Sequence, residues 1–299
     1  MSGPHVVAIG GGHGLAATLR AARTYAGRLT AIVSVADDGG SSGRLRRQFA
    51  IPAPGDLRRC LVALAAPTNP WAGAFEYRFG PEAGSDLEGH ALGNLVIAAL
   101  AGVTGDFATA LTLCSTLLGA TAEVLPATVG PVDLAGAVDG VAVRGQVAIQ
   151  EAQGAVADLH VVAADGGSTA APAAAVDAIE AADQVVVGPG SLFTSVLAAC
   201  AVPDVAAALR RRSGGRVHVV NLRPELPETA GLTPVDHLRV LADHGVTVDV
   251  AVLDHRWWPG TLALDGAVPA IVDVALCDDP ADGHDPTRLA AALQAALRA

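Results

Sequence analysis

Short apolar runs punctuate this chain, and each ends in glycine or a polar turn. Val6–Ile9 stops at Gly10-Gly11-Gly12, and Leu29–Val35 stops at Ala36-Asp37-Asp38-Gly39-Gly40-Ser41-Ser42-Gly43. Gln184–Val187 stops at Gly188-Pro189-Gly190, and further apolar runs fall at Arg216–Asn221 and Val246–Leu253. Runs of this length between turn signals predict buried strands. The stretches between them carry helical spacing at Leu15–Tyr25, Leu57–Ala65, Leu92–Ala101, Phe107–Leu118, Ala171–Ala182, Thr194–Ala199 and Pro286–Leu297. Strand, glycine turn, helix, strand is the rhythm of a parallel βαβ unit. From Ala122 to Val162 the texture changes to short β-like runs with Gly and Pro, including the hairpin signal Val138-Asp139-Gly140-Val141. The expectation is an α/β, Rossmann-like fold: a mainly parallel sheet with helices on both faces. It forms one domain over 1–299, with a small β-rich insertion at about 122–162.

Composition narrows the function classes. The chain has 299 residues, 51% of them hydrophobic and 16% charged, enough to bury a large core and too apolar for disorder. Every one of the 19 basic residues is Arg, so a phosphate-loop lysine and Schiff-base chemistry are both excluded. A net charge of −11 argues against nucleic acid as a partner. Arg210-Arg211-Arg212 with Arg216 reads as a solvated helix end. Cys60, Cys114, Cys200 and Cys277 lie far apart with no ligand spacing, which predicts buried free thiols in a reducing compartment. The uncharged run 184–203 is broken by Gly188-Pro189-Gly190 and by hydroxyl residues, so it predicts strand, loop and helix in place of a membrane span. With no signal-peptide pattern at the N-terminus, the expectation is a soluble cytoplasmic protein with no membrane insertion.

Five segments carry candidate chemistry. Gly10-Gly11-Gly12-His13-Gly14 lies between a strand and a helix, where glycines let a phosphate approach the backbone and the helix N-terminus favours its charge. Asp37, Asp38, Gly39, Gly40, Ser41 and Ser42 follow the second strand; there an acid bonds ribose hydroxyls or, with its neighbour, holds Mg²⁺. Pro54-Gly55-Asp56-Leu57-Arg58 opens a helix, and Asp56 is either its cap or a carboxylate turned to metal or proton work. Arg58 is a phosphate clamp or a surface residue. His90 and Asn94 stand one turn apart at another helix start. Gly188, Gly190, Ser191, Thr194 and Ser195 form a second anion cradle, with Asn221 at the end of the next strand. If the sheet is parallel, all five reach the carboxyl edge, where ligands of open α/β sheets bind. Trp71, Phe75, Tyr77 and Phe79 mark an aromatic cluster with packing as its default role, and Trp257-Trp258-Pro259 reads as a hydrophobic plug.

Taken in order, these motifs resemble the gluconeogenesis factor family (YvcK type), within the superfamily of 2-phospho-L-lactate transferase (CofD-like) proteins. The similarity runs from about Val6 to Leu241. Two departures are His13, where the family usually has a small hydroxyl residue, and Gly145-Gln146, where it has Gly-Glu. The resemblance implies a nucleotide site. In one branch it implies UDP-sugar binding by a regulatory protein of cell morphogenesis and envelope synthesis during gluconeogenic growth. In the other it implies a Mg²⁺-dependent transferase using a nucleoside-diphosphate-linked donor, with Asp56 as the catalytic, metal-side carboxylate and Asp37 and Asp38 beside it. An NAD-binding protein is a third reading, and a homo-oligomer is compatible with all three.

Overall fold

The computed structural model describes residues 3–83, 86–258 and 269–299. Among the described residues, ten strands fall in two sheets: β1 His5–Gly10, β2 Arg28–Val33, β3 Glu123–Pro126, β4 Val132–Val138, β5 Val141–Arg144, β6 Val156–Ala163, β7 Gln184–Val187, β8 Arg216–Val219, β9 Val250–Leu253 and β10 Ala270–Asp273. The large sheet has the order β10-β9-β8-β7-β1-β2-β3, and every pair in it is parallel. Its central strands are buried on both faces, which is why they read as unbroken apolar runs and not as alternation. Strand order reverses between β1 and β7, so the topological switch point lies where Gly10 and Val187 end.

The small sheet, β5-β4-β6, is antiparallel and closes its hairpin at Asp139-Gly140, where both residues have positive φ. It begins at Val132 and not at Ala122. Glu123–Pro126 pairs in parallel with β2 and is the edge of the large sheet, so the β-rich texture spans parts of two sheets. Arg46 fastens the small sheet to the core side by donating to the Val132 carbonyl and pairing with Asp133 at 2.5 Å, while Arg144 takes the other Asp133 oxygen at 2.7 Å.

Helix Gly12–Ala22 packs against helices Gly55–Leu64 and Pro286–Ala296. Several helices escape the periodic reading because they are short or polar: Gly40–Phe49, Pro70–Glu76, Gln146–Glu151 and Pro203–Arg211, as well as Pro234–Asp243, which carries a Thr233/Asp236 capping box. Arg210–Arg212 do end a helix, with Arg211 exposed and paired to Glu180. The run 184–203 is strand, turn and the buried helical segment Leu192–Cys200. Among the described residues no single helix is long and apolar enough to cross a membrane. The strand expected at Val246–Leu253 starts only at Val250, because the Val246 N–H instead bonds back to Leu241 and closes the preceding helix. All four cysteines are buried and free. Of the aromatic cluster only Phe75 is core; Trp71 and Tyr77 are exposed, and Tyr77 meets Phe79 edge to face at 5.2 Å. Trp258 is buried, and Pro259 lies outside the described residues.

Candidate functional site

Two glycine turns meet at the switch point. Gly11 leaves β1 in extended conformation and leads into the helix that starts at Gly12, whose φ is +63°. A side chain on Gly11 would overlap Asp56 Oδ2 and crowd Ser195, so the missing Cβ makes room for a carboxylate and a hydroxyl at one point. A side chain on Gly14 would strike the Pro189 carbonyl, so this glycine lets the first helix lie against the second turn. Gly188 and Gly190 have positive φ, and Gly190 is clamped from both sides: its N–H donates to Asn221 Oδ1 at 2.8 Å, and Asn221 Nδ2 donates to its carbonyl at 2.9 Å. Asn221 is thus a backbone clamp.

The acids divide between two jobs. Asp56 is not the cap of its helix. Its Oδ1 takes Arg59 Nη1 at 2.7 Å while Oδ2 faces Gly11. Asp37 accepts the Gly39 N–H at 3.0 Å and lies against Gly55. Burial, and next the Asp56 charge, hold the Asp37 carboxyl above its ordinary range. Asp38 turns away. Its Oδ2 accepts the Gln146 N–H at 2.9 Å and its Oδ1 the Val147 N–H at 3.0 Å, at the start of helix Gln146–Glu151. The expected Mg²⁺ set of Asp37, Asp38 and Asp56 is therefore not gathered, and no group of three His, Cys, Asp or Glu side chains among the described residues is arranged to hold a metal. Asp37 and Asp56 do fit a Mg²⁺ that arrives on a diphosphate and keeps its waters, since such ions commonly take only one or two carboxylates. A cation there would also relieve the like-charge stress that raises Asp37.

Ser41, His90, Asn94 and Arg58 converge as one buried chain. Ser41 Oγ lies 3.0 Å from His90 Nδ1, Asn94 Nδ2 donates to Ser41 Oγ at 3.0 Å, and Arg58 Nε donates to Asn94 Oδ1 at 3.1 Å. Arg58 goes on to the Phe75 carbonyl and to Glu76 at 2.6 Å. It is neither a surface residue nor a free phosphate clamp; its guanidinium is spent inside the protein. Burial, with Arg44 and Arg78 behind it, holds His90 below its usual pKa and favours the neutral ring. Ser42 lies under Gly55, where a Cβ would overlap its hydroxyl, while Gly39 caps helix Gly40–Phe49 by backbone alone.

Two residues that the motifs did not single out complete the site. Arg59 is the cation beside Asp56 and His13, and the Asp56/Arg59 spacing of one helical turn was the available signal. His13 itself stands half-exposed at the first turn, where partial desolvation and then the Arg59 charge lower its pKa. Glu228 is the larger omission. Its Oε1 accepts the Phe193 N–H at 3.1 Å and the Thr194 N–H at 2.9 Å, and its Oε2 accepts the Ser191 hydroxyl, which also pairs with Thr194 Oγ1. The second turn is an anion cradle, as its composition suggests, but the chain's own carboxylate fills it. Ser191 and Thr194 are occupied by Glu228, whereas Ser195 faces Gly11 and Gly12. An apolar cavity of about 700 Å³ adjoins this turn, lined by Phe193, Leu226, Ala230, Leu232 and Val240 with Glu228 at its polar end.

This architecture has known counterparts. The model of the family described as "2-phospho-L-lactate transferase CofD" matches residues 6–278, beyond Leu241 where the motif resemblance fades. The chain belongs to that CofD-like family. Within it, the relatives it matches carry the gluconeogenesis factor name. It is 42% identical over 310 residues to one from Mycobacterium tuberculosis, covering 96% of this chain and 89% of that one. It is 40% identical over 256 residues to one from Halalkalibacterium halodurans, covering 84% and 78%. Against a longer relative from Nostoc, 42% identical over 240 residues, the match covers 80% of this chain and 52% of the other. The chain thus spans about half of that relative's length. A solved structure of a UPF0052 family member from Bacillus halodurans superposes with a TM-score of 0.82 at 34% identity, over 98% of this chain and 99% of that one.

Proposed function

We propose that this protein binds a nucleoside-diphosphate-linked sugar, a UDP-sugar, at the switch point between β1 and β7, and acts as a regulator without turning it over. The observation that carries the reading is the meeting of Gly11, Gly12, Ser195 and Asp56 at one backbone turn, with Arg59 paired to Asp56 and Asp37 against the neighbouring Gly55. Backbone N–H groups at a helix N-terminus suit the diphosphate. Asp37 and Asp56 suit hydroxyls or a phosphate-borne Mg²⁺. Because Glu228 fills the second turn, the phosphates belong on the Gly10–Gly12 side. The same reading places the protein in the cytoplasm, as one domain, in control of cell morphogenesis and envelope synthesis during gluconeogenic growth.

The charge coupling between Asp37 and Asp56 favours one alternative, a Mg²⁺-dependent transfer from a nucleoside-diphosphate-linked donor with Asp56 as the metal-side acid. A thermal-shift panel of UDP-GlcNAc, UDP-glucose, GDP, GTP and NAD, each with and without Mg²⁺, separates them. A ligand at a hundred times its dissociation constant stabilises the fold by about 2.7 kcal/mol, a readable shift. A response to UDP-sugars that Gly11→Ala abolishes is the expected result. A Mg²⁺-dependent response confined to guanine nucleotides selects the transferase, and no response to any of them overturns both.

A further inference from the structure

The hydrogen-bonded series from Arg58 to His90 has a direction, because one end of it can only donate. The Arg58 Nε–H, 3.1 Å from Asn94 Oδ1, fixes that oxygen as the acceptor and turns Asn94 Nδ2 toward Ser41. Asn94 Nδ2 donates to Ser41 Oγ at 3.0 Å. Ser41 is buried, and among the described residues the one partner left for its own O–H is His90 Nδ1 at 3.0 Å. That ring nitrogen therefore accepts, and the neutral imidazole carries its proton on Nε2. His90 is 5% exposed, yet this Nε2–H has no acceptor among the described residues.

Two arginines stand beside it. Arg44 Nη2 donates to the Glu88 carbonyl at 2.6 Å, and Arg78 Nη1 donates to the Gly89 carbonyl. They hold successive carbonyls immediately before His90, and both charges act on its ring. Gly89, with φ +75°, lacks the Cβ that would crowd Arg44 Nη2 at 3.3 Å. Neither guanidinium pairs with a carboxylate among the described residues, in a chain that has 30 acidic residues for its 19 arginines. Each keeps four of its five N–H donors. Two cations held together without an acid repel each other, and an anion between them reverses the sign.

We propose that His90 Nε2, Arg44 and Arg78 form an anion site for a phosphate group. Donors without an acceptor favour an oxyanion over a cation, and two guanidiniums suit the several oxygens of a phosphate. Ser41 lies in the first turn of helix Gly40–Phe49, whose N-terminal partial charge acts in the same sense. The phosphate is a free one, since the glycine turn at the switch point serves the diphosphate of the nucleotide. This site stands apart from the UDP-sugar reading, because its observations lie in the Arg58–His90 series and its probe is phosphate.

The test is long-range ¹H–¹⁵N correlation of the histidine rings in the full chain at neutral pH, with His90→Asn identifying the His90 signals. Inorganic phosphate is titrated into wild type, Arg44→Gln and Arg78→Gln, with chloride keeping the ionic strength constant. His90 should show the Nε2–H tautomer before any phosphate is added. Phosphate should then shift its Nε2–H signal to saturation, with a dissociation constant about tenfold higher in each arginine variant. Circular dichroism should be the same for all three, because neither arginine is part of the core. A second titration in saturating UDP-glucose separates the sources. An unchanged phosphate shift supports a site for free phosphate, whereas its loss to competition overturns that assignment and gives these donors to the nucleotide's own phosphate. A His90 ring protonated on Nδ1, no shift with phosphate, or a shift equally strong in both arginine variants overturns the site itself.

Discussion

Two histidines behind the second turn make the fold sensitive to mild acid. His218 on β8 and His237 on helix Pro234–Asp243 are 2% and 1% exposed, and their rings lie 6.5 Å apart. His218 Nδ1 bonds the Val187 carbonyl at 3.0 Å, while Nε2 of both rings is buried without a partner. Burial therefore lowers both, His218 to about 3 with His237 as its second cause, and His237 to about 4. An unfolded histidine titrates near its model value of 6.5, so below that pH the unfolded chain holds more protons than the folded one. Stability present above pH 6.5 is thus lost as pH falls toward the folded values. For His237 the loss between pH 7 and pH 5 is about 2 kcal/mol, from the difference in proton uptake across that window. That corresponds to a fall in Tm of roughly 3 °C for a chain of 299 residues. Asp249 and Asp254, whose pKa values are lowered, lose their contributions only below the ordinary carboxylate range and stay out of the window. Glu225, raised to about 7 by burial and then by Glu228, acts in the opposite direction, so the wild-type slope alone is a net quantity. The measurement is therefore a difference: urea midpoints at pH 7, 6 and 5 for wild type, His237→Phe and His237→Gln. Phe keeps the edge-on contact with Trp258 at 5.4 Å. Both variants should lose less stability than wild type on acidification, by about 1–2 kcal/mol at pH 5. Parallel curves for all three proteins would refute the argument.

Other substitutions separate the roles in the site. Asp38→Ala should cost about 0.5–2 kcal/mol of stability by uncapping helix Gln146–Glu151 while leaving the affinity for a UDP-sugar nearly intact, read by denaturation and calorimetry together. Asp56→Asn should do the reverse, weakening ligand binding about tenfold with little change in the apo midpoint. Glu228→Ala removes the acceptor for two N–H groups and a hydroxyl, so a loss of about 2–4 kcal/mol is expected, mostly recovered in Glu228→Gln. Gly14→Ala should fail to fold stably, because its new methyl meets the Pro189 backbone and not a yielding side chain.

The large sheet was legible because strands buried on both faces are written as apolar runs with glycine ends. Its outer strands were less so: Glu123–Pro126 is short, lies on an edge and reads like the antiparallel texture that follows. Helix Gly40–Phe49 was hidden because its first turn is Gly, Ser, Ser and Gly, which in sequence look like a loop and in space present backbone N–H groups. In the site, residues near a turn were found and the division of labour among them was not. Asp37 and Asp38 are neighbours with opposite orientations, and what separates them is a helix start 108 residues away. Arg58 and Arg59 are likewise adjacent, and helical rotation sends the first into the core and the second to Asp56. Glu228 was out of reach of pattern reasoning, since nothing in Leu226-Pro227-Glu228-Thr229 announces a partner 34 residues earlier.

That same glutamate sets how a ligand can arrive. Since Glu228 completes the hydrogen bonds of Ser191, Phe193 and Thr194 in the free chain, the Gly188–Ser195 turn is ordered before any encounter. Binding at the opposing Gly10–Gly12 turn then requires no loop to be recruited from disorder, and little configurational entropy is lost there. Association should accordingly proceed in a single kinetic phase whose rate rises in proportion to ligand concentration without a plateau, and differences in affinity among nucleotide sugars should reside in how slowly each departs.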